Sequence, residues 1–388
     1  MNLQDLNLQD LNLQDLETPC LIVDRKKVQA NINRLHKHLA NLGVNLRPHG
    51  KTAKNSDVIN LALVGQQGGI TVSTLKEADY YFAQGIQDIV YAVGITPNKL
   101  NHVTTLIQQG ATLTLILDSL AQVRAVAEHA QLQGIEIPIL IEVDCDGHRS
   151  GVKPDSALLL DIGQALHTQA GVRLDGVLTH AGESYNCTSL EAITAIAEQE
   201  RATAVACAER LRNDGLPCPV VSIGSTPTAL LVEDLTGITE VRAGVFVFFD
   251  LVMAGLGVCD VNDIAVSVLT SVIGHQDDKG WVITDAGWMA LSRDRGTAKQ
   301  RVDQGYGLVC DANGTPLNDM IVAATNQEHG TIEHRHHKPM NKDNYAIGSL
   351  LRILPNHACA TGAMHNRYYV VDGDQDIVAT WERINGWN

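Results

Sequence analysis

The stretch that decides the fold is Thr112-Leu113-Thr114-Leu115-Ile116-Leu117, then an amphipathic run over residues 119–133, then Pro138-Ile139-Leu140-Ile141-Glu142-Val143. Two short apolar segments flank a run whose apolar residues recur at helical spacing, which reads as a parallel strand–helix–strand unit. The alternation extends in both directions. Strand-like segments stand at 44–47, 69–72, 88–93, 174–179, 220–223 and 240–246, with further amphipathic runs at 74–84 and 190–213. Eight such strands over roughly 250 residues predict a closed β/α barrel better than an open sheet. Ahead of them, residues 20–24 read as a short apolar strand and 25–42 as a helix.

From about residue 264 the texture changes. Strand-like pieces at 265–273, 281–285, 321–325, 350–354, 368–371 and 377–381 are joined by turns rich in Gly, Asn and Asp. This predicts a mainly antiparallel β domain. The expected organisation is an N-terminal extension over 1–17, a barrel over 18–260 and a β domain over 261–388. The extension carries Asn-Leu-Gln-Asp-Leu three times in succession, from Asn2 to Leu16. A period of five fits neither helix nor strand, so a frayed segment is expected there.

With 45% hydrophobic and 19% charged residues, composition is that of an ordinary globular protein. A net charge of −15 excludes a basic footprint for nucleic acid or an anionic membrane. No apolar run reaches the roughly 18 residues of a membrane span, and no secretory signal is expected. Eight cysteines without paired spacing point to reduced thiols and a cytoplasmic setting.

In a β/α barrel, chemistry collects on the loops after the strands. Polar residues cluster there. Arg47-Pro48-His49-Gly50-Lys51-Thr52 follows the first strand, and Asp144-Cys145-Asp146-Gly147-His148-Arg149-Ser150-Gly151 the fifth. His180-Ala181-Gly182-Glu183-Ser184-Tyr185 follows the sixth, Gly224-Ser225-Thr226-Pro227-Thr228 the seventh, and the eighth runs through Arg242-Ala243-Gly244 to Asp250. Singly, each is an ordinary loop: a solvated lysine, a turn, a paired arginine. Together, a lysine to condense with an aldehyde, a Gly/Ser/Thr nest for an anion and an arginine for a ring nitrogen suit a phosphorylated pyridine aldehyde. In the β domain, Pro355-Asn356-His357-Ala358-Cys359 puts a His and a Cys two apart, on one side of an extended chain, where one metal ion could bridge them. A buried thiol beside a turn histidine is the plainer alternative. The tract His334-Arg335-His336-His337-Lys338-Pro339 is read as a solvated loop.

These residues resemble the fold-type III pyridoxal-phosphate enzymes of the D-threonine aldolase and D-serine dehydratase family. The segment 47–52 resembles the family's cofactor-lysine motif and 355–359 its metal motif. The likeness runs from about 18 to 387 and includes 179–182, 224–226, 248–250, 285–287 and 327–330. At 222–228 and 285–297 it is greatest to members that dehydrate D-threo-3-hydroxyaspartate. Gly50 and Ala53 stand where bulkier or polar residues are common in the motif.

The resemblance implies an alanine-racemase-type barrel plus β domain, a homodimer, and pyridoxal 5'-phosphate with a divalent metal (zinc, manganese, cobalt or magnesium). Lys51 would carry the cofactor and serve as base. Arg149 would face the pyridine nitrogen, and His180, Tyr185, Gly224, Ser225, Thr226 and Gly244 would complete the cofactor site. His357 and Cys359 would ligate the metal. The family's aldolases usually have Asp where Cys359 stands, which favours elimination from a D-β-hydroxy amino acid to a 2-oxo acid and ammonia. A hydroxyaspartate would need a cation for its second carboxylate, with His148, Arg293 and Arg295 as candidates, each equally readable as a surface ion pair. D-serine dehydratase, D-threonine-type aldolase and a non-catalytic cofactor-binding protein are the competing expectations.

Overall fold

Alternation of apolar strands with amphipathic helices gives the layout that the computed structural model displays over the described residues, 11–387. The chain forms two compact units. The first spans Arg34–Gly244. Its strands are β2 (Asn45–Pro48), β3 (Ile70–Val72), β4 (Asp88–Tyr91), β5 (Thr112–Leu117), β6 (Ile137–Val143), β7 (Val172–Thr179), β8 (Val220–Ile223) and β9 (Glu240–Ala243), after β1 (Cys20–Asp24) in the other unit. They form one parallel sheet in the order β2-β9-β8-β7-β6-β5-β4-β3. The ends are joined by a bridge between His49 and Thr71 and by the Gly50 N–H donating to Thr71 O at 2.8 Å, so the sheet closes into a barrel.

Helices follow the strands: α1 (Arg25–Asn41) enters the barrel, then α2 (Ser56–Leu63), α3 (Leu75–Ala83), α4 (Leu100–Gln108), α5 (Leu120–Gln133), α6 (Leu158–Thr168), α7 (Leu190–Asn213) and the short α8 (Thr226–Leu231). Asn55, Thr74, Ser119, Ser189 and Ser225 cap five of them, each side-chain oxygen accepting a backbone N–H of the first turn. Val90, Ile116, Leu140 and Leu178 form a buried layer contributed by the four consecutive strands β4 to β7.

A polar network shares this unit. Arg47 donates from Nε to Glu240 at 2.7 Å and from Nη1 and Nη2 to the two oxygens of Asp88 at 3.0 and 2.9 Å. In the closed sheet β3 separates β2 from β4, so this contact crosses the barrel interior. Glu240 also accepts from Ser222 Oγ at 2.7 Å, and Ser222 Oγ accepts from Arg242 Nε at 2.8 Å.

The second unit takes the chain before Arg34 with Val245–Asn385. Its further elements are α9 (Leu251–Gly255), β10 (Val266–Gln276), β11 (Trp281–Thr284), α10 (Trp288–Leu291), β12 (Leu308–Cys310), β13 (Pro316–Thr325), β14 (Gly330–His334), β15 (Leu350–Leu354), α11 (Ala358–Gly362), β16 (Arg367–Val371) and β17 (Ala379–Glu382). The order β11-β14-β13-β12-β15-β10, closed by a β10–β11 pairing, is a ring of antiparallel strands. β1, β16 and β17 extend it from β10, with β1 and β16 parallel.

Three differences from the sequence reading have physical reasons. Residues 20–24 were expected with the barrel, yet β1 is buried along its whole length in the second unit's sheet, where Cys20 stands opposite Leu269. The division expected near residue 260 falls after Gly244 instead. Val245–Val247 is a 3-10 turn, and the chain beyond it is tied to the β unit by Leu251 N–H to Pro355 O at 3.0 Å and Phe248 edge-on to Tyr368 at 5.5 Å. The third pentapeptide copy is ordered rather than frayed; the residues before Leu11 lie outside those described. Asn12 and Asp15 form a capping box around a 3-10 turn. Leu11, Leu13 and Leu16 pack into a core cluster with Ile22, Leu269, Val371 and Ile377.

Leu13 is fully buried. Leu13→Ala is therefore expected to lower unfolding free energy by about 2–4 kcal/mol, as for other buried Leu truncations. Val64→Ala, at a position 69% exposed, should change it by less than about 0.5 kcal/mol. Denaturant titration of both variants decides whether the third repeat is part of the core.

Candidate active site

The barrel brings its predicted site residues to the ends of β2, β6, β7, β8 and β9. Lys51 is exposed on the turn after β2, and its backbone N–H donates to His49 Nδ1 at 3.4 Å. Burial lowers the pKa of both His49 and His180, and the Lys51 ammonium adds to the lowering at each ring. Gly50 has no room for a side chain: a Cβ would lie 2.5 Å from the Tyr81 ring, whose hydroxyl donates to Gly50 O at 3.2 Å. Tyr81 thus fills the volume that a bulkier residue would take. Gly244 packs on the same turn, where an added Cβ would sit 3.0 Å from Thr52 Oγ1 and 3.3 Å from His49 Cβ.

Arg149 lines a narrow crevice with Glu142, Asp144, Asp146, His148 and His180. Its guanidinium is 63% exposed and stands 3.9 Å from Glu142. His180 is held from Nδ1 to Gly224 O at 2.9 Å. Burial, reinforced by the charges of Lys51, Arg242 and Arg149, lowers its pKa to about 3. The imidazole is therefore neutral. With a carbonyl as partner, Nδ1 carries the proton. Tyr185 stands beside it, ring centroids 6.3 Å apart.

After β8 the segment 224–228 is buried and almost saturated with hydrogen bonds. Ser225 Oγ lies 2.9 Å from Ser184 Oγ and 3.0 Å from Thr228 Oγ1. Thr226 Oγ1 is buried with no hydrogen-bond partner, an orphan donor that an anion would satisfy. A phosphate fits this donor set. The small residues expected at 224–226 are needed for a second reason at Gly224: its φ of +143° and a Cβ position 2.0 Å from Arg242 O exclude any side chain.

In the second unit, His357 and Cys359 come together, although not on an extended chain as expected. His357 is extended at the N-terminal boundary of α11, and Cys359 lies inside that helix. The two side chains share a hydrogen bond. His357 Nδ1 is 2.8 Å from Asp294 Oδ2. Burial alone would lower the histidine's pKa, but Asp294, Cys359 and Asp250 outweigh it and raise the imidazole to about 11. Asp294 is held below the usual carboxylate range, first by the His357 hydrogen bond. A carboxylate on one ring nitrogen fixes the ring and leaves the other nitrogen for a metal. Imidazole and thiolate are a donor pair that suits a transition metal or zinc.

Sequence reasoning passed over the supports of this pair. Asp294 sits between Arg293 and Arg295, both singled out. Asp250 is buried, accepts the Ala358 N–H at 3.0 Å, and is pushed up to about 6 by burial. Asn356 binds the 294–305 loop through Asp294 O at 3.1 Å, Gly305 O at 2.7 Å and Thr297 Oγ1 at 2.8 Å. All three lay inside quoted segments, Asp250 in 248–250, Asp294 in 285–297 and Asn356 in 355–359, but none was given a role.

The substrate cations fare unequally. His148 pairs with Glu183 at 2.8 Å and Arg295 with Asp303 at 2.7 Å, with the Arg295 guanidinium also over Tyr306. Arg293 is exposed, its guanidinium over the Trp288 ring at 5.3 Å. In the tract that closes and follows β14, Arg335 Nε donates to Asp319 at 3.3 Å, while His336 and His337 are exposed. Among the described residues, no group of three or more His, Cys, Asp or Glu side chains is arranged to hold a metal ion. No helix among them is long and apolar enough to cross a membrane.

Residues 23–252 match the alanine racemase N-terminal domain, and residues 265–371 match the serine dehydratase domain. D-threo-3-hydroxyaspartate dehydratase of Delftia sp. (strain HT23) is 51% identical over 375 residues, covering 96% of this chain and 98% of that protein. Its solved structure superposes with a TM-score of 0.94 over 97% of this chain and all of that one. A cysteine-to-alanine variant of that dehydratase, solved in the metal-free form, gives 0.95. D-serine dehydratase of Dictyostelium discoideum is 30% identical over 95% of this chain and 97% of its own length. With both domain matches in order along the chain, it belongs to the alanine-racemase-fold family that contains D-threo-3-hydroxyaspartate dehydratase and the D-serine dehydratases.

Proposed function

We propose that this chain is a pyridoxal-phosphate- and divalent-metal-dependent lyase that dehydrates D-threo-3-hydroxyaspartate to oxaloacetate and ammonia. The observation that carries the reading is 51% identity across nearly the full length of a dehydratase with that substrate in its name. The orphan Thr226 hydroxyl and the His357/Cys359 pair with its Asp294 support add the matching chemistry.

When bound, the cofactor supplies an electron sink for the Cα carbanion, and the metal a Lewis acid for the β-hydroxyl leaving group. Lys51 would hold the cofactor, and its side-chain amine would take the Cα proton. Arg149 presents a permanent cation to the pyridine nitrogen and keeps it unprotonated. Gly224, Ser225, Thr226 and Gly244 hold phosphate, with His180 and Tyr185 alongside. His357 and Cys359 hold the metal, and zinc suits an imidazole–thiolate pair better than magnesium does. Of the three candidate cations, Arg293 is the one we assign to the β-carboxylate, since among the described residues it meets the Trp288 ring rather than a carboxylate, whereas His148 and Arg295 face one each. The eight cysteines are all free thiols, which supports a reducing, cytoplasmic setting. A homodimer completes the proposal.

Purified protein with zinc should release ammonia and oxaloacetate from D-threo-3-hydroxyaspartate faster than from D-serine. Glyoxylate plus glycine as products would reassign it as an aldolase, and a higher kcat/KM for D-serine would make it a D-serine dehydratase. Lys51→Ala should lose the visible absorption of the lysine-bound cofactor; its retention would sink the lysine assignment.

Chelation should abolish turnover while leaving that absorption in place, with zinc restoring activity. Asp294→Ala should weaken zinc binding by about 10–100-fold, as losses of a histidine's carboxylate partner do. Competition with a chromophoric chelator reads this directly, and an unchanged zinc affinity would remove Asp294 from the metal site.

A further inference from the structure

Glu200 lies near the middle of α7 and is completely buried. Among the described residues its hydrogen-bond donors are two backbone amides and a hydroxyl, with no lysine or arginine. Oε1 accepts the Ala181 N–H at 2.9 Å and the Gly224 N–H at 3.0 Å, and Oε2 accepts the Thr228 hydroxyl at 2.7 Å. Ala181 belongs to the loop after β7, while Gly224 and Thr228 belong to the segment after β8. One carboxylate therefore ties together the two loops that carry His180 and the Gly/Ser/Thr nest.

The consequences can be followed atom by atom. Burial raises the Glu200 carboxyl above its ordinary range, yet two amides and a hydroxyl all point a proton at it, so it serves as the acceptor. Facing it, the Thr228 hydroxyl must donate, which leaves its lone pairs for the Ser225 N–H at 3.1 Å and the Ser225 hydroxyl at 3.0 Å. Ser184 Oγ donates to Ala181 O at 2.7 Å, so the single Ser225 hydroxyl proton is shared between two acceptors, Ser184 Oγ at 2.9 Å and Thr228 Oγ1 at 3.0 Å. Gly224 is clamped from both sides: its N–H goes to Glu200 and its O to His180 Nδ1 at 2.9 Å. Beside these bonded groups, Thr226 Oγ1 is buried without a hydrogen-bond partner.

We propose that Glu200 is a positioning residue for the cofactor's phosphate: its carboxylate fixes the hydroxyl and amide directions of 224–228, so that Thr226 is presented to the phosphate, and holds His180 through Gly224. The proposal rests on the cofactor reading above. A role confined to stability would weaken all ligands of the barrel alike, whereas a phosphate-positioning role discriminates for the 5'-phosphate.

The test is equilibrium binding of pyridoxal 5'-phosphate and of pyridoxal to cofactor-free protein, followed by quenching of intrinsic fluorescence. Glu200→Gln replaces one acceptor by a donor facing groups that also donate. It should weaken pyridoxal phosphate by about tenfold or more, the scale of a lost charge-assisted hydrogen bond, and change pyridoxal by less than about threefold. Glu200→Asp keeps the charge, and Thr226→Val removes the presented hydroxyl; the latter should reproduce the selective loss. Equal losses for both ligands in Glu200→Gln, or none, would overturn the positioning role. If Glu200→Gln does not accumulate as folded protein, Thr228→Val cuts one link at nearly constant volume and carries the same comparison, with an unchanged preference for the phosphorylated ligand counting against the proposal. Failure of the unsubstituted protein to bind pyridoxal phosphate would overturn the cofactor reading itself.

Discussion

A buried arginine is tolerable only if its charge and its donors are met, and Arg47 sets that condition at the base of the barrel. Asp88 takes both of its terminal nitrogens and Glu240 its Nε. Removing one partner of such a buried group costs about 3–5 kcal/mol, although replacing the whole network by apolar residues can be neutral. The network therefore reports on specificity more than on stability. Asp88 opens β4 and Glu240 opens β9, so a slip in either strand would move a carboxylate to the opposite face and strand the guanidinium. Register at β2, β4 and β9 is thereby tied to one side chain.

From that base the polar chain climbs toward the chemistry. Glu240 holds Ser222, Ser222 takes Arg242 Nε, and an Arg242 terminal nitrogen donates to Thr179 O, immediately before His180. Glu200 meets the same loops from the helical side. The catalytic ends of β7, β8 and β9 are thus fixed from inside the barrel by arginines and from outside by a carboxylate. Loops held at both sides can keep a narrow anion site preorganised without a ligand to order it.

What the sequence revealed followed the range of each interaction. Strand 112–117 matched its element to the residue, since its signal is local alternation. Residues 308–310 and 330–334 went unread as strands: one is only three residues long, and the other opens on glycine and closes on histidine. β1 looked like a barrel strand because nothing local shows that its partners lie near 269 and 371. The Leu13 turn was hidden because it packs without a helical or strand period. At the site, lysine, arginine, histidine and cysteine were legible as chemistry. Glu200, Asp294 and Asp250 were not, because a carboxylate that binds backbone amides or a distant histidine looks in sequence like any surface acid.

The charge arrangement around His180 shows why its neighbours matter more than its own identity. Burial, with the charges of Lys51, Arg242 and Arg149, holds the imidazole neutral, so the positive charge near the ring is carried by those three side chains. Two of these cannot lose a proton near neutral pH. A protonated His180 would add a fourth positive charge in a shielded place and would put a donor on both ring nitrogens. Kept neutral, with Nδ1–H bound to Gly224, it offers a lone pair at Nε2 and leaves phosphate recognition to hydroxyls and amides. On the proposed cofactor reading, the anion would then be met by dipoles of fixed direction, and the cations would remain available to the pyridine ring and the substrate.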